Sequence, residues 1–257
     1  MALAFHPKQL TFETFRSFVV TPSRGQRGAL YRRYADRLAV NPDLTRALVS
    51  FQANRTVPFS RWIKYKEAFS SQLVRYFLDQ FQGGGRSLPR VLDPFAGAGT
   101  TLSAAARTGC HVTGIELLPV AVAALRAWLV AHAVKVRSFR YHLKRLEGFP
   151  LDCTRSRSYR FPHLRITQNA FPPQTECALS AYSTFLETVQ DPDVRYLFKF
   201  ACLSVLEEVS YTRKDGQYLR WDCRSGRPLK STFRKTLVQD LRTALTRKLW
   251  LMLEDIK

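Results

Sequence analysis

The chain has 257 residues, 46% of them hydrophobic, which is enough to bury a sizeable core and excludes a disordered tail. Forty Lys and Arg face 20 Asp and Glu, a formal net charge of +20, so the expected partner is a polyanion, most often nucleic acid. The plain alternative is a solvated basic surface.

In chain order, residues 1–50 begin with Phe, Leu and Val among turn-formers and pass into a basic segment, Arg24 to Arg37. Its Tyr31-Arg32-Arg33-Tyr34 run suits stacking on bases and pairing with phosphates, and equally suits the polar face of a helix. Asn41-Pro42-Asp43 starts a short helix with Leu44, Leu48 and Val49 on one side. Ser70 or Ser71 then caps a helix over Gln72 to Phe81, with Leu73, Val74, Phe77, Leu78 and Phe81 as its buried stripe. Gly83-Gly84-Gly85 ends that helix as a connection, and Pro89 precedes a strand.

The chain is organised around Val91-Leu92-Asp93-Pro94-Phe95-Ala96-Gly97-Ala98-Gly99-Thr100-Thr101, a strand end, a glycine turn and the start of an alanine-rich helix. Gly97 and Gly99 allow a sharp turn and close approach of a ligand to the backbone, and the helix start presents unpaired N–H groups. Gly109 to Glu116 makes a second strand that ends on an acid, where a ribose diol is usually held because a carboxylate accepts two hydroxyl donors. Val120 to Val134 forms a helix in which His132 is packed or surface-lying.

From Lys135 to Arg165 a basic, aromatic segment reads as a loop-rich excursion, carrying Arg137, Arg140, Lys144, Arg145, Arg155, Arg157, Arg160 and Arg165. Thr175 to Val189 and Asp193 to Ser210, the latter started by Asp191-Pro192, have helical apolar spacing. Tyr211 to Asp222 holds an Asp-Gly turn between two short strands; Arg213, Lys214 and Arg220 make it a candidate DNA-binding hairpin, or it braces the core. Phe233, Leu237, Leu241, Leu245, Leu249 and Leu253 predict one long amphipathic helix. The five cysteines are scattered, odd in number and without a C-x-x-C pair, which argues against a zinc site or a disulfide framework. No apolar run approaches the roughly 20 residues of a membrane span, and no signal peptide is evident, so a cytoplasmic location without a membrane is expected.

Three kinds of cofactor loop compete for the glycine turn. A phosphate-cradling loop needs Gly-Lys, and Gly99 is followed by Thr100; a dinucleotide fingerprint needs a third glycine where Leu102 stands. S-adenosylmethionine remains, with a zwitterionic methionine end that suits a loop opened by an aspartate. Asp93-Pro94-Phe95-Ala96-Gly97-Ala98-Gly99-Thr100-Thr101 resembles the cofactor motif of the DNA amino-methyltransferases, which modify adenine N6 or cytosine N4, and Arg61 to Ser70 resembles their segment ahead of the loop. The resemblance runs closely over residues 54–134. It implies an α/β fold, a partial Rossmann-like methyltransferase sheet, with a mainly helical, basic C-terminal region.

By that likeness Asp93 orients the cofactor's amino group, and Phe95, Ala96, Gly97, Gly99, Thr100 and Thr101 shape its pocket. Ser70 or Ser71 meets the carboxylate and Glu116 holds the ribose hydroxyls. Residues 1–53 become a basic helical segment, 54–134 the cofactor-binding part and 135–257 a recognition region for double-stranded DNA. Such enzymes also need Asp, Asn or Ser followed by Pro-Pro and an aromatic, which accepts hydrogen bonds from the target amino group. The only Pro-Pro here is Phe171-Pro172-Pro173-Gln174, with the wrong residue on each side, and it reads as a loop. Few buried strands follow Glu116, so the strand ending at Asp93 is expected to keep an uncovered edge. The expectation is a catalytic motif on a second chain; the alternatives are a non-catalytic DNA-binding module and an inactive truncated methyltransferase.

Overall fold

The structure is a computed structural model and describes residues 25–37, 41–81, 90–152, 161–215, 218–228 and 232–257. The Gly83-Gly84-Gly85 connection, Pro89, the Arg155, Arg157 and Arg160 cluster and the Gly216 turn position lie outside the described residues. So does the apolar start of the chain, residues 1–24. Among the described residues the fold mixes helices with a small parallel sheet. Strand β1 (Arg90–Asp93) pairs with β2 (His111–Gly114) in parallel, Arg90 opposite His111 and Asp93 opposite Gly114.

On the N-terminal side, the Arg24–Arg37 segment contains helix α1 (Gln26–Arg33), which exposes Leu30 and Tyr34. Helix α2 (Arg46–Val49) is shorter than the 42–49 spacing predicts, because Asn41 first closes an Asx turn onto the Asp43 N–H and Thr45 is the residue that caps. Helix α3 (Ser71–Phe81) starts where expected: the Ser70 hydroxyl accepts the Leu73 N–H at 3.1 Å. Helix α4 (Thr100–Ala106) follows the glycine turn and packs against α3 and both strands of the sheet.

The bulk of the core is helical. Helices α5 (Pro119–Ala133), α6 (Val136–Glu147), α7 (Pro173–Glu187), α8 (Pro192–Val209) and α9 (Leu241–Ile256) share one apolar cluster. Leu197, Phe198, Leu245, Leu249 and Met252 are completely buried in it. The expected loop-rich excursion is therefore corrected over its first part. Phe139, His142, Leu143 and Leu146 recur at helical spacing and form the buried face of α6, while Arg137 and Arg140 lie outside that face. The long C-terminal helix is corrected too: α9 begins at Leu241 because Asp240 caps it through the Thr243 N–H, and Phe233 to Gln239 is an irregular strap. That strap is tied by Cys223 N–H to Phe233 O and by Gln239 N–H to Glu208 O.

Pro172 and Pro173 occupy the start of α7, where a missing N–H costs nothing, so Phe171-Pro172-Pro173-Gln174 is a helix entry. Asp191 caps α8 as the Asp-Pro signal predicts, accepting the N–H groups of Asp193 and Val194. The last turn of α9 also anchors the segment ahead of the sheet: buried Asp255 accepts the Phe59 N–H at 2.9 Å and the Trp62 indole N–H at 2.8 Å, and pairs with Arg61. Cys177 is disulfide-bonded, which the scattered cysteine pattern does not predict. Among the described residues no single helix is long and apolar enough to cross a membrane.

Candidate functional site

The glycine turn is built by backbone hydrogen bonds. Asp93 ends β1 with its carbonyl accepting the Ile115 N–H and one carboxylate oxygen accepting the Phe95 N–H at 3.0 Å. The chain then reverses: the Ala96 N–H returns to the Ile115 carbonyl and the Gly99 N–H to the Ala96 carbonyl. Gly97 and Gly99 have φ of 53° and 86°, a region that side chains rarely adopt. At Gly99 a Cβ would also lie 2.3 Å from Leu125 Cδ2, so α5 packs directly onto the backbone of the turn.

Glu116 locks this loop from the second strand. One carboxylate oxygen accepts the Gly97 N–H at 2.6 Å, and the other accepts those of Leu117 at 2.8 Å and Leu118 at 2.7 Å. The N–H of Leu118, then those of Leu117 and Gly97, hold its carboxyl below the usual range, against a smaller opposing effect of desolvation. The carboxylate at the end of β2 therefore braces the loop and still has acceptor capacity on its open side.

Beside this loop lies a cavity of about 510 Å³ whose wall includes Asp93, Phe95, Ala96, Gly97, Thr100 and Glu116. Leu117 and Leu118 add apolar surface, and Tyr65 and Glu67 come in from the segment ahead of α3. The Tyr65 ring lies over Gly97, 3.2 Å from where a Cβ would stand. Burial, with the nearby Glu116 and Glu67 carboxylates, pushes its hydroxyl up. No Lys or Arg among the described residues lines this cavity, whereas Glu67, Asp93 and Glu116 all do. A cationic ligand is thereby favoured over an anionic one.

The remaining candidates fall elsewhere. Ser70 is fully buried, its hydroxyl spent on capping α3 and on donating to the Leu48 carbonyl. Ser71 is half-buried, its N–H donated to Asn54 Oδ1, and Thr101 lies on α4 beyond the cavity wall. Gly99 lines a second cavity, of about 370 Å³, on the α5 side of the turn, with Trp62 and Trp128. Tyr65, Glu67, Leu117 and Leu118 were not singled out in the sequence. Leu117 and Leu118 directly follow the acid, so the end of the second strand marked their place; Tyr65 and Glu67 carried no pattern of their own within Arg61 to Ser70.

The hairpin forms as predicted, β3 (Thr212–Asp215) antiparallel to β4 (Tyr218–Trp221), with Arg213 opposite Arg220 and Lys214 opposite Leu219. Alternation places Arg213 and Arg220 on one face and Lys214 on the other. Arg213 is exposed and makes no ion pair among the described residues; Arg220 pairs with Asp215 at 2.6 Å; Lys214 pairs with Glu67 at 2.5 Å. Not all the positive charge faces outward. Lys235 donates to the carbonyls of Ser210 and Thr212 beyond the end of α8, and Arg242 to those of Leu146, Glu147 and Phe149 at the end of α6. These cations neutralise helix C-termini.

No protein-family model and no solved structure matches the chain. The chain is 39% identical over 245 residues to the type II methyltransferase M.AvaI of Nostoc sp. and to that of Anabaena variabilis, a match covering 93% of this chain and 49% of each relative. It is 34% identical over 252 residues to the type II methyltransferase M.BsoBI of Geobacillus stearothermophilus, covering 90% of this chain and 48% of the relative. The chain thus spans about half the length of the curated relatives it matches, and the similarity runs through the loop, the acid-ended strand and the helical region alike.

Proposed function

We propose that this chain is the cofactor-binding and DNA-recognition portion of a type II DNA amino-methyltransferase, acting on adenine N6 or cytosine N4. The observation that carries the reading is the acid-lined cavity at the glycine turn, with Glu116 bracing Gly97 from the second strand. S-adenosylmethionine fits its donors: a sulfonium and an ammonium suit a wall of carboxylates, and a ribose diol suits the open side of Glu116. In this reading the two strands are part of a Rossmann-like sheet, and residues 1–53, 54–134 and 135–257 are functional rather than separately folded units. The similarity to methyltransferases across nearly the whole chain supports it.

Bound in this cavity, S-adenosylmethionine supplies an electrophilic methyl group on sulfur. Asp93 and Glu116 orient the donor, Tyr65 covers the loop, and the hairpin meets DNA phosphates through Arg213, Lys214 and Arg220. No Asp, Asn or Ser followed by Pro-Pro and an aromatic occurs in the 257 residues, and the one Pro-Pro begins a helix. We place the acceptor of the amino group outside these 257 residues.

The test is calorimetric titration with S-adenosylmethionine, followed by transfer of labelled methyl groups to DNA. Wild type is expected to bind the donor, and Asp93→Ala and Glu116→Ala to weaken binding about tenfold or more, each removing one charge-assisted contact. The chain alone is expected to methylate DNA negligibly until a chain carrying the acceptor motif is added. Robust methylation by these 257 residues alone overturns that placement, and absence of donor binding overturns the site.

A further inference from the structure

Glu67, Asp93 and Glu116 all line the cavity, but their partners differ in kind. Asp93 accepts the Phe95 N–H and Glu116 accepts three N–H groups, and neither carboxylate pairs with a cation among the described residues. Glu67 instead faces the ammonium of Lys214, at 2.5 Å, on the hairpin proposed to meet DNA. The ion pair holds the Glu67 carboxyl below its usual range, and about half of each side chain is exposed. Such a pair is weak and readily exchanged.

The backbone of the hairpin does not depend on that pair. The Lys66 ammonium donates to the Lys214 carbonyl, the Lys214 N–H to Glu207 at 3.4 Å, and Lys64 pairs with Glu207 at 3.3 Å. Tyr65, between those lysines, is thereby kept over Gly97. If the Lys214 side chain leaves, β3 stays in place and Glu67 presents to the cavity a negative charge that only the more distant Lys66 ammonium offsets.

Resting on the S-adenosylmethionine reading above, we infer that Glu67 senses the charge of the methyl donor, and that Lys214 sets its strength by partitioning between Glu67 and a DNA phosphate. The donor carries a sulfonium; the product of transfer, S-adenosylhomocysteine, carries a neutral thioether. An unmasked Glu67 therefore favours donor over product. DNA on the hairpin tightens the donor relative to the product, and by linkage the donor tightens DNA by the same factor. Turnover weakens both attachments together.

The experiment measures the affinities of the full chain for S-adenosylmethionine and S-adenosylhomocysteine by calorimetry. It compares wild type, Lys214→Ala, Glu67→Gln and the double variant, with and without a short mixed-sequence duplex. Removing Lys214 is expected to raise the donor-to-product affinity ratio about two- to fivefold without DNA, the range of an exposed pair. Glu67→Gln is expected to lower the ratio by a similar factor and to make the loss of Lys214 silent. Duplex is expected to raise the ratio in wild type and not in Lys214→Ala. An unchanged ratio in both single variants, with donor still bound and melting temperatures retained, overturns the inference. Failure of wild type to bind the donor at all overturns the underlying cavity assignment instead. Substitution of Lys214 by Met, which keeps the aliphatic stem, separates loss of charge from loss of packing.

Discussion

The helical side and the glycine-turn side of this molecule are held together differently. In the helical side Leu197, Phe198, Leu245, Leu249 and Met252 are completely buried. Around the glycine turn Leu92 is 63% exposed, Phe95 88% and Leu117 89%, and the shape is kept by backbone hydrogen bonds to Glu116, Asp93 and Ile115. One region derives its stability from apolar area, the other its geometry from donors and acceptors. Substitutions should therefore unfold the first and disable the second without unfolding it.

The largest expected effect is in the helices: Phe198→Ala should cost about 3–5 kcal/mol in denaturant unfolding, whereas Leu92→Ala should stay within about 0.5 kcal/mol. Equal losses at the two sites would erase the distinction. Gly99→Ala should come next, costing about 1–3 kcal/mol from the positive φ, with a further loss of donor binding as the new methyl meets Leu125. A fully buried carboxylate extends the comparison to the hairpin. Asp222 accepts hydrogen bonds from the Arg224 guanidinium and from the N–H groups of Arg224 and Lys235, and Arg224 foremost holds its pKa far below normal.

Because that folded pKa is depressed, the stabilisation from Asp222 is fully present above the ordinary aspartate value of about 3.9 and is lost as pH falls below it. Melting curves should show this acid-side loss diminished in Asp222→Asn, which should itself cost about 2 kcal/mol at neutral pH. The smallest effect on stability is expected at the outward face of the hairpin. Arg213→Ala should leave unfolding within about 0.5 kcal/mol of wild type while lowering the salt dependence of DNA binding by about one unit of slope. A destabilised Arg213→Ala would instead mark the hairpin as a brace for the core.

The glycine turn and its acid were legible because their requirements are local. A positive φ demands glycine, a carboxylate at a strand end demands donors, and both show within a short window. The cap of α8 at Asp191 and the hairpin were legible for the same reason. Helix α6 was obscured by its many basic residues, although Phe139, His142, Leu143 and Leu146 already lay at helical spacing. The four-residue period from Phe233 to Leu253 misled in the opposite direction, since Asp240 caps the helix partway along it.

By itself, then, the sequence determined the loop and the positive charge, because each follows from residue types and short spacings. Only the tertiary structure decided what that charge does. It sent Lys235 and Arg242 to helix ends and Lys214 to Glu67, and left Arg213 outward. Those partners are contributed by segments distant along the chain, and packing brings them within hydrogen-bonding range.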